Sequence, residues 1–227
     1  MRAEGSDGAV RAVSPVDVFA SLDRFGDEDF RVSQGSEVDE IDLLRSQEYG
    51  LLANLIARAP TQDLLSRLSR LDGDASPLGA AHRRVAEAAR AADPDAVSQE
   101  YFDLFIGVGR GEVLPYASYY LTGFLNERPL ARVRADLQAL GIETADEVRE
   151  PEDHVAILCE VMSGLAAGRF DAEPGADRRF FERHIKPFAE RFFADLETAT
   201  SSRFYRSVGA LGRLFIEIET EAFAIEN

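Results

Sequence analysis

Asp153 and His154 stand side by side in the stretch EVREPEDHVAILCEVMSGL (147–165), which also holds Cys159, the only cysteine of the chain. An adjacent carboxylate and imidazole suit general acid–base work, metal ligation or recognition of a cation. The competing reading is a helix start. Pro151 fits a first helical turn, Glu152 and Asp153 are favourable at the positive end of the helix dipole, and His154, Leu158, Val161, Met162 and Leu165 share one face. Metal ligation is disfavoured, because His154 and Cys159 are five residues apart, off a common face, and no second ligand pair is visible. A lone cysteine makes no internal disulfide and no cysteine-based zinc or iron–sulfur site. His82 and His184 lie in ordinary helical patterns and read as structural. No G-x-S-x-G elbow and no glutamate–histidine helix motif appears. The reading is a binding protein, with no catalytic residues, no metal and no cofactor.

The second candidate is YFDLFIGVGRGEVLPYASYY (101–120). An aromatic-rich helix ends at Gly107, a loop with three glycines follows, and Pro115 leads into a second aromatic segment. GVGRG invites a nucleotide reading, but it follows a helix rather than a strand and no Lys-Ser/Thr comes after it. The plain alternative is a helix–loop–helix corner whose glycines supply positive φ. An exposed Tyr/Phe cluster beside such a loop would also suit peptide capture, since aromatics give large contact area at low entropic cost. The third candidate, the C-terminal stripe of Phe181, Phe188, Phe192, Phe193, Phe204 and Tyr205, reads as core.

The elements that must position these residues are helical. DLLRSQEYGLLANLIARAP spaces its leucines at three and four residues. TQDLLSRLSRL opens on a capping Thr61, SPLGAAHRRVAEAARAA on Ser76 with Pro77, and DPDAVSQEYFDLFIGV on Asp93 with Pro94. Prolines 60, 77, 94, 115, 129, 151 and 174 punctuate segments of helical length. Pro187 instead interrupts RRFFERHIKPFAERFFADLETA and should kink it by removing the bond to the Arg183 carbonyl. In the last segment, Phe204, Val208, Leu211, Phe215 and Ile218 favour a helix over the strand alternation of LFIEIET. The fold expected is an all-α, single globular bundle of about nine or ten helices over residues 39–227. Residues 1–38 read as a mostly disordered tail, with a short helix near PVDVFASLDRF.

With 227 residues and 45% apolar composition the chain can bury a real core. No run of 18 apolar residues suggests a spanning helix, and the N-terminus has no signal-peptide h-region, so the expected compartment is the cytoplasm. A net charge of −16 argues against a nucleic-acid partner and permits a basic one.

Together these segments resemble the TorD/DmsD/NarJ family of cytoplasmic chaperones for molybdenum enzymes. YFDLFIGVGRGEVLPYASYY is like the family's Y-x-x-L-F-x-G…P-x-x-S-x-Y segment, and EPEDHVAILCEVM like its E-x-P-x-D-H helix start. HIKPFAERFFADLETATSSRFYRSVGALGRLFIEIE follows its C-terminal pattern. The likeness covers about residues 41–225. One departure is that the family's aliphatic-Leu-Glu appears as Leu158-Cys159-Glu160. The resemblance implies a TorD-like helical fold that binds the leader, often twin-arginine, or another segment of an apo-molybdoenzyme and holds it for molybdopterin insertion. It implies a peptide site at Asp153 and His154 with Pro151 and Glu150, and at Tyr101, Phe105, Gly107, Pro115, Ser118 and Tyr119. Carboxylates would meet the arginine pair, an apolar groove the rest, with the Asp–His pair at the mouth; protonation of His154 would release the client. The version FIGVGRGEVLPYASYYLTGFL resembles relatives associated with formate dehydrogenases, making a formate dehydrogenase or related reductase the expected partner. A monomer is expected, with a helix-swapped dimer as the variant. Two other functions remain open: a nucleotide enzyme using the glycine loop with Asp153 and His154, and a permanent acidic subunit of a redox complex.

Overall fold

Caps and prolines set the helix boundaries. In the computed structural model, which describes residues 11–13, 39–144 and 149–225, Asp39 accepts the Ile41 N–H at 3.3 Å and opens α1 (Glu40–Ala57). Thr61 caps α2 (Gln62–Leu68) and Ser76 caps α3 (Pro77–Ala91), each accepting an N–H three residues on. Asp93 precedes α4 (Pro94–Tyr101) but its side chain makes no capping bond; Pro94 alone marks that start. The chain continues through a π-helical turn (Phe102–Ile106), α5 (Ala117–Thr122) and α6 (Arg128–Ala139). Next come α7 (Val155–Ala166), α8 (Ala176–Phe180) with a second π-helical turn (Phe181–Ile185), α9 (Ala189–Thr198) and α10 (Phe204–Ile225).

The all-α reading thus holds, with ten α-helices among the described residues. One short parallel strand pair accompanies them, β1 (Arg11–Val13) on β2 (Ile142–Thr144). Apart from residues 11–13, the expected N-terminal tail and its short helix lie outside the described residues. Pro187 does more than kink its segment. The Lys186 N–H reaches back five residues to the Phe181 carbonyl, and a new helix begins only at Ala189. LFIEIET is helical, inside α10.

α7 is the central helix. All its residues but Leu165 are buried, so the expected one-sided stripe becomes a helix buried all round. It packs along α1, where Ser46 Oγ donates to the Ser163 carbonyl at 2.9 Å. Cys159 is one of its small buried side chains, its thiol pushed up to about 12 by burial. α9 and α10 form an antiparallel pair that needs glycine at two positions. A Cβ on Gly209 would strike the Glu197 backbone at 2.5 Å, and one on Gly212 the Phe193 ring. The C-terminal aromatics are core: Phe181, Phe192, Phe193 and Tyr205 are fully buried.

Candidate functional site

The two motifs singled out by residue type are joined by backbone. His154 and Tyr116 form an isolated antiparallel bridge, the Ala117 N–H donates to the Asp153 carbonyl at 3.0 Å, and the Val155 N–H to the Pro115 carbonyl at 2.8 Å. The side chains complete the seam. Asp153 Oδ2 accepts the Ser118 N–H at 2.8 Å and also the Ser118 hydroxyl. The Tyr116 ring meets the His154 imidazole edge-on at 5.1 Å, and the Tyr116 hydroxyl donates to Glu150 at 2.5 Å.

This seam corrects the geometry expected for the Asp–His pair. Pro151 lies in a turn closed by the His154 N–H and not inside the helix, which begins at Val155. Asp153 is 1% exposed and His154 5%, so neither stands at a mouth. Asp153 instead caps α5 from a distance: Ser118 is its second residue, and the local N-cap, Tyr116, has no side-chain cap bond. His154 caps α7 itself, its Nδ1 accepting the Ala156 N–H at 3.1 Å, which requires a neutral ring with the proton on Nε2. Burial, only partly opposed by the charge of Glu150, lowers its pKa to about 4.

Release of a client by protonating His154 near neutral pH is therefore not supported. A stability effect is expected instead. The folded-state pKa lies below the unfolded value near 6.5, so the stabilisation is complete above pH 6.5 and is lost as pH falls towards 4. It amounts to about 3 kcal/mol. Urea midpoints at pH 7, 5.5 and 4.5 should fall less steeply for His154→Asn, which keeps a capping oxygen but cannot titrate. Parallel slopes for the two proteins would show that the ring is not held neutral by the fold.

The other expected site residues divide by depth. Pro115 and Ser118 are buried, Ser118 completely. Tyr101 and Phe105 are half-buried and stack on Tyr205, with ring centroids 6.1 and 5.4 Å away. Gly107 ends the π-helical turn at φ 61°, its N–H bonded to the Phe102 carbonyl at 2.7 Å; a Cβ there would strike the Arg110 carbonyl. Glu150 is exposed and Pro151 and Tyr119 are partly so.

Tyr119 leads to residues the motifs did not flag. With Tyr120, Glu112, Leu114 and Asp195 it lines an open cleft of about 170 Å³ between the glycine loop and α9. Arg110, at the loop's far side, donates to the Tyr119 hydroxyl at 2.8 Å and lies 5.2 Å from its ring centre. Glu112 accepts the Thr200 and Ser201 N–H groups, the latter at 3.0 Å. Burial works against the charge on Glu112, but those backbone bonds prevail and lower its pKa. Large apolar side chains stand bare on two segments: Ile106 at the end of the π-helical turn with Val108 of the glycine loop, and Leu121 near the end of α5 with Phe124 and Leu125 of the loop after it, Val108 being 99% and Phe124 70% exposed.

Residues 71–194 match the model of the family described as nitrate reductase delta subunit, more than half of the chain. The chain belongs to that family. Within it stand the relatives that the motifs resembled. A chaperone protein TorD from Vibrio vulnificus (strain CMCP6) is 26% identical over 165 residues, covering 65% of this chain and 77% of the relative. A chaperone protein TorD from Aliivibrio fischeri is 28% identical over 140 residues, 57% of this chain and 65% of its own. A crystal structure described as a redox enzyme maturation protein from Archaeoglobus fulgidus superposes with a TM-score of 0.51 at 20% identity, over 82% of this chain and 99% of the other, and so shares the fold.

The span of the delta-subunit family model takes in the glycine loop, the Asp153–Ser118 seam and most of α9. It stops one residue before Asp195 and leaves out α10. Glu100, just ahead of the aromatic motif, bridges to that outer part: its carboxylate accepts the Arg203, Phe204 and Tyr205 N–H groups at 2.7, 3.1 and 2.8 Å, capping α10. Val108 set between glycines and Phe124 in a polar loop were the available signals for the exposed ridge. Among the described residues no group of His, Cys, Asp or Glu is arranged to hold a metal, and no helix is long and apolar enough to cross a membrane.

Proposed function

We propose that this protein is a cytoplasmic chaperone that holds a segment of an apo-molybdoenzyme, the N-terminal leader where the client carries one, until the molybdopterin cofactor is inserted. A formate dehydrogenase or related reductase is the favoured client, from the form of the glycine-loop motif. The observation that carries the reading is the exposed ridge of Ile106, Val108, Leu121, Phe124 and Leu125, on the segment from the π-helical turn into the glycine loop and the segment from α5 into the next loop, which the Arg110–Tyr119 contact links. Large apolar side chains left bare together mark a surface that another chain covers. The carboxylates of Glu112 and Asp195 in the adjoining cleft and the net charge of −16 favour a basic segment. Kinship with TorD chaperones supports the same class of partner.

In this reading the expected peptide-site residues take two roles. Tyr119 and the edge of the glycine loop face the client. Asp153, His154, Pro115 and Ser118 fix the loops behind it. The nucleotide alternative gains nothing, since the glycine loop follows a helical turn and has no lysine to meet a phosphate.

The test is direct binding to a synthetic N-terminal precursor peptide of a molybdoenzyme, a formate dehydrogenase leader first, followed by fluorescence anisotropy. Wild type should bind with a Kd of roughly micromolar or below. The double variant Val108→Ser/Phe124→Ser should bind about tenfold or more weakly with an unchanged circular dichroism spectrum. Equal binding by the double variant would remove the ridge from the client surface.

A further inference from the structure

The glycine loop is fixed at its root and free at its tip. On the way back from the tip, the Glu112 N–H donates to the Asp103 carbonyl at 3.1 Å and the Val113 N–H to the Leu104 carbonyl at 2.8 Å. Gly111 lies so close to the π-helical turn that a Cβ there would strike the Leu104 carbonyl oxygen at 2.5 Å. The tip is glycine-rich instead. Val108, the most exposed apolar side chain of the ridge, stands between Gly107 and Gly109, both at positive φ. Glu112 ties the root sideways. Its two carboxylate oxygens accept the Thr200 and Ser201 N–H groups, in the turn between α9 and α10. Glu100 holds the next stretch of that turn through the Arg203, Phe204 and Tyr205 N–H groups. The two carboxylates differ in depth: Glu100 is buried, whereas Glu112 is exposed. Glu112 also joins the two walls of the cleft. Val113 and Leu114 follow it on one wall, and Thr198 and Ala199 precede its partners on the other. A charged acceptor bonded to two successive backbone donors is a directed link. A link of this kind acts on binding without touching the ligand, by ordering the surface beforehand.

We propose that Glu112 is a positioning residue of the client site. Its link to the α9–α10 turn fixes the spacing of the cleft walls and the root from which Val108 is presented, so client affinity depends on a residue the client need not touch. This deepens the client-binding reading of the ridge and rests on it.

The test uses the full-length protein, the Glu112→Ala and Glu112→Gln variants and the same precursor peptide. A link worth about one ordinary hydrogen bond, once lost, leaves the binding geometry a fraction of the free ensemble, so Glu112→Ala should bind about fivefold more weakly. Glu112→Gln keeps one acceptor oxygen and should fall between Glu112→Ala and wild type. The gap between Glu112→Ala and wild type should persist in about 1 M sodium chloride, where surface charges are screened within about 3 Å. Hydrogen exchange followed by NMR should quicken at the Thr200, Ser201 and Val113 amides of Glu112→Ala, with the α7 amides unchanged. If Glu112→Gln loses as much as Glu112→Ala and both gaps close in high salt, Glu112 meets the client by its charge and the proposal falls. It falls too if Glu112→Ala binds like wild type while those amides exchange faster. If wild type itself binds no precursor peptide, the client reading falls and takes this proposal with it.

Discussion

Glu219→Ala is expected to destabilise the protein by about 3 kcal/mol, towards the lower end of what breaking a buried ion pair costs. Glu219 is 2% exposed at the centre of a network tying α10 to α1. Both its oxygens accept from the Arg45 guanidinium, at 2.9 Å from Nε and 2.9 Å from the terminal nitrogen, and one also accepts the Tyr49 hydroxyl at 2.9 Å. Burial alone would lower the Arg45 pKa, but the bonds and charge of Glu219 outweigh it and the pKa is raised. Without Glu219 the guanidinium and the fully buried Tyr49 hydroxyl lose their shared partner. Asp42 and Asp177 still hold one arm of Arg45, at 2.7 and 3.0 Å, and both are more exposed, which limits the loss. Urea unfolding followed by circular dichroism measures the effect. The paired change Arg45→Met/Glu219→Leu should recover much of it, because the network's cost lies in stranding one charge and not in lacking the pair. A single-variant loss under about 1 kcal/mol would mean that water reaches and screens the network, as it does for surface pairs.

What could be read along the chain was whatever depends on near neighbours. Thr61, Ser76, Pro77 and Pro94 act within one turn of where they stand, so helix starts followed from them. The period of Phe204, Val208, Leu211 and Phe215 runs long enough to decide helix against strand. What could not be read was the capping supplied from far away. Glu100 satisfies α10 a hundred residues on, and Asp153 satisfies α5 from 35 residues beyond Ser118. Such carboxylates look like free functional groups until the donors they face are known. Pro151 misled for a related reason: its turn ends at His154, and only the long-range bridge to Tyr116 shows why the helix waits until Val155. The exposed ridge is the converse case. Val108 and Phe124 are ordinary apolar letters, and only their lack of cover makes them a surface.

Asp153 therefore makes a sharper prediction than a contact residue would. Asp153→Ala should cost about 3 kcal/mol, because the Ser118 N–H and hydroxyl are buried and lose a charged acceptor; each such orphaned donor costs about 1–3 kcal/mol. Ser118 Oγ keeps the Glu127 N–H, at 3.3 Å, but that bond offers no acceptor for the hydroxyl proton. Both donors share Oδ2, so the amide oxygen of Asp153→Asn can accept the two of them and loses only the charge; that variant should cost about half as much. Thermal unfolding measures both, and the binding data then separate positioning from contact. At a temperature where both variants are fully folded, Asp153→Asn should bind the precursor peptide within about twofold of wild type, since its side chain lies beneath the loops. Asp153→Ala should bind more weakly, since α5 has lost the cap that holds Tyr119 and Leu121 in place. If Asp153→Asn abolished binding with stability intact, the carboxylate charge itself would have to reach the client, and the buried seam would have to open to let it.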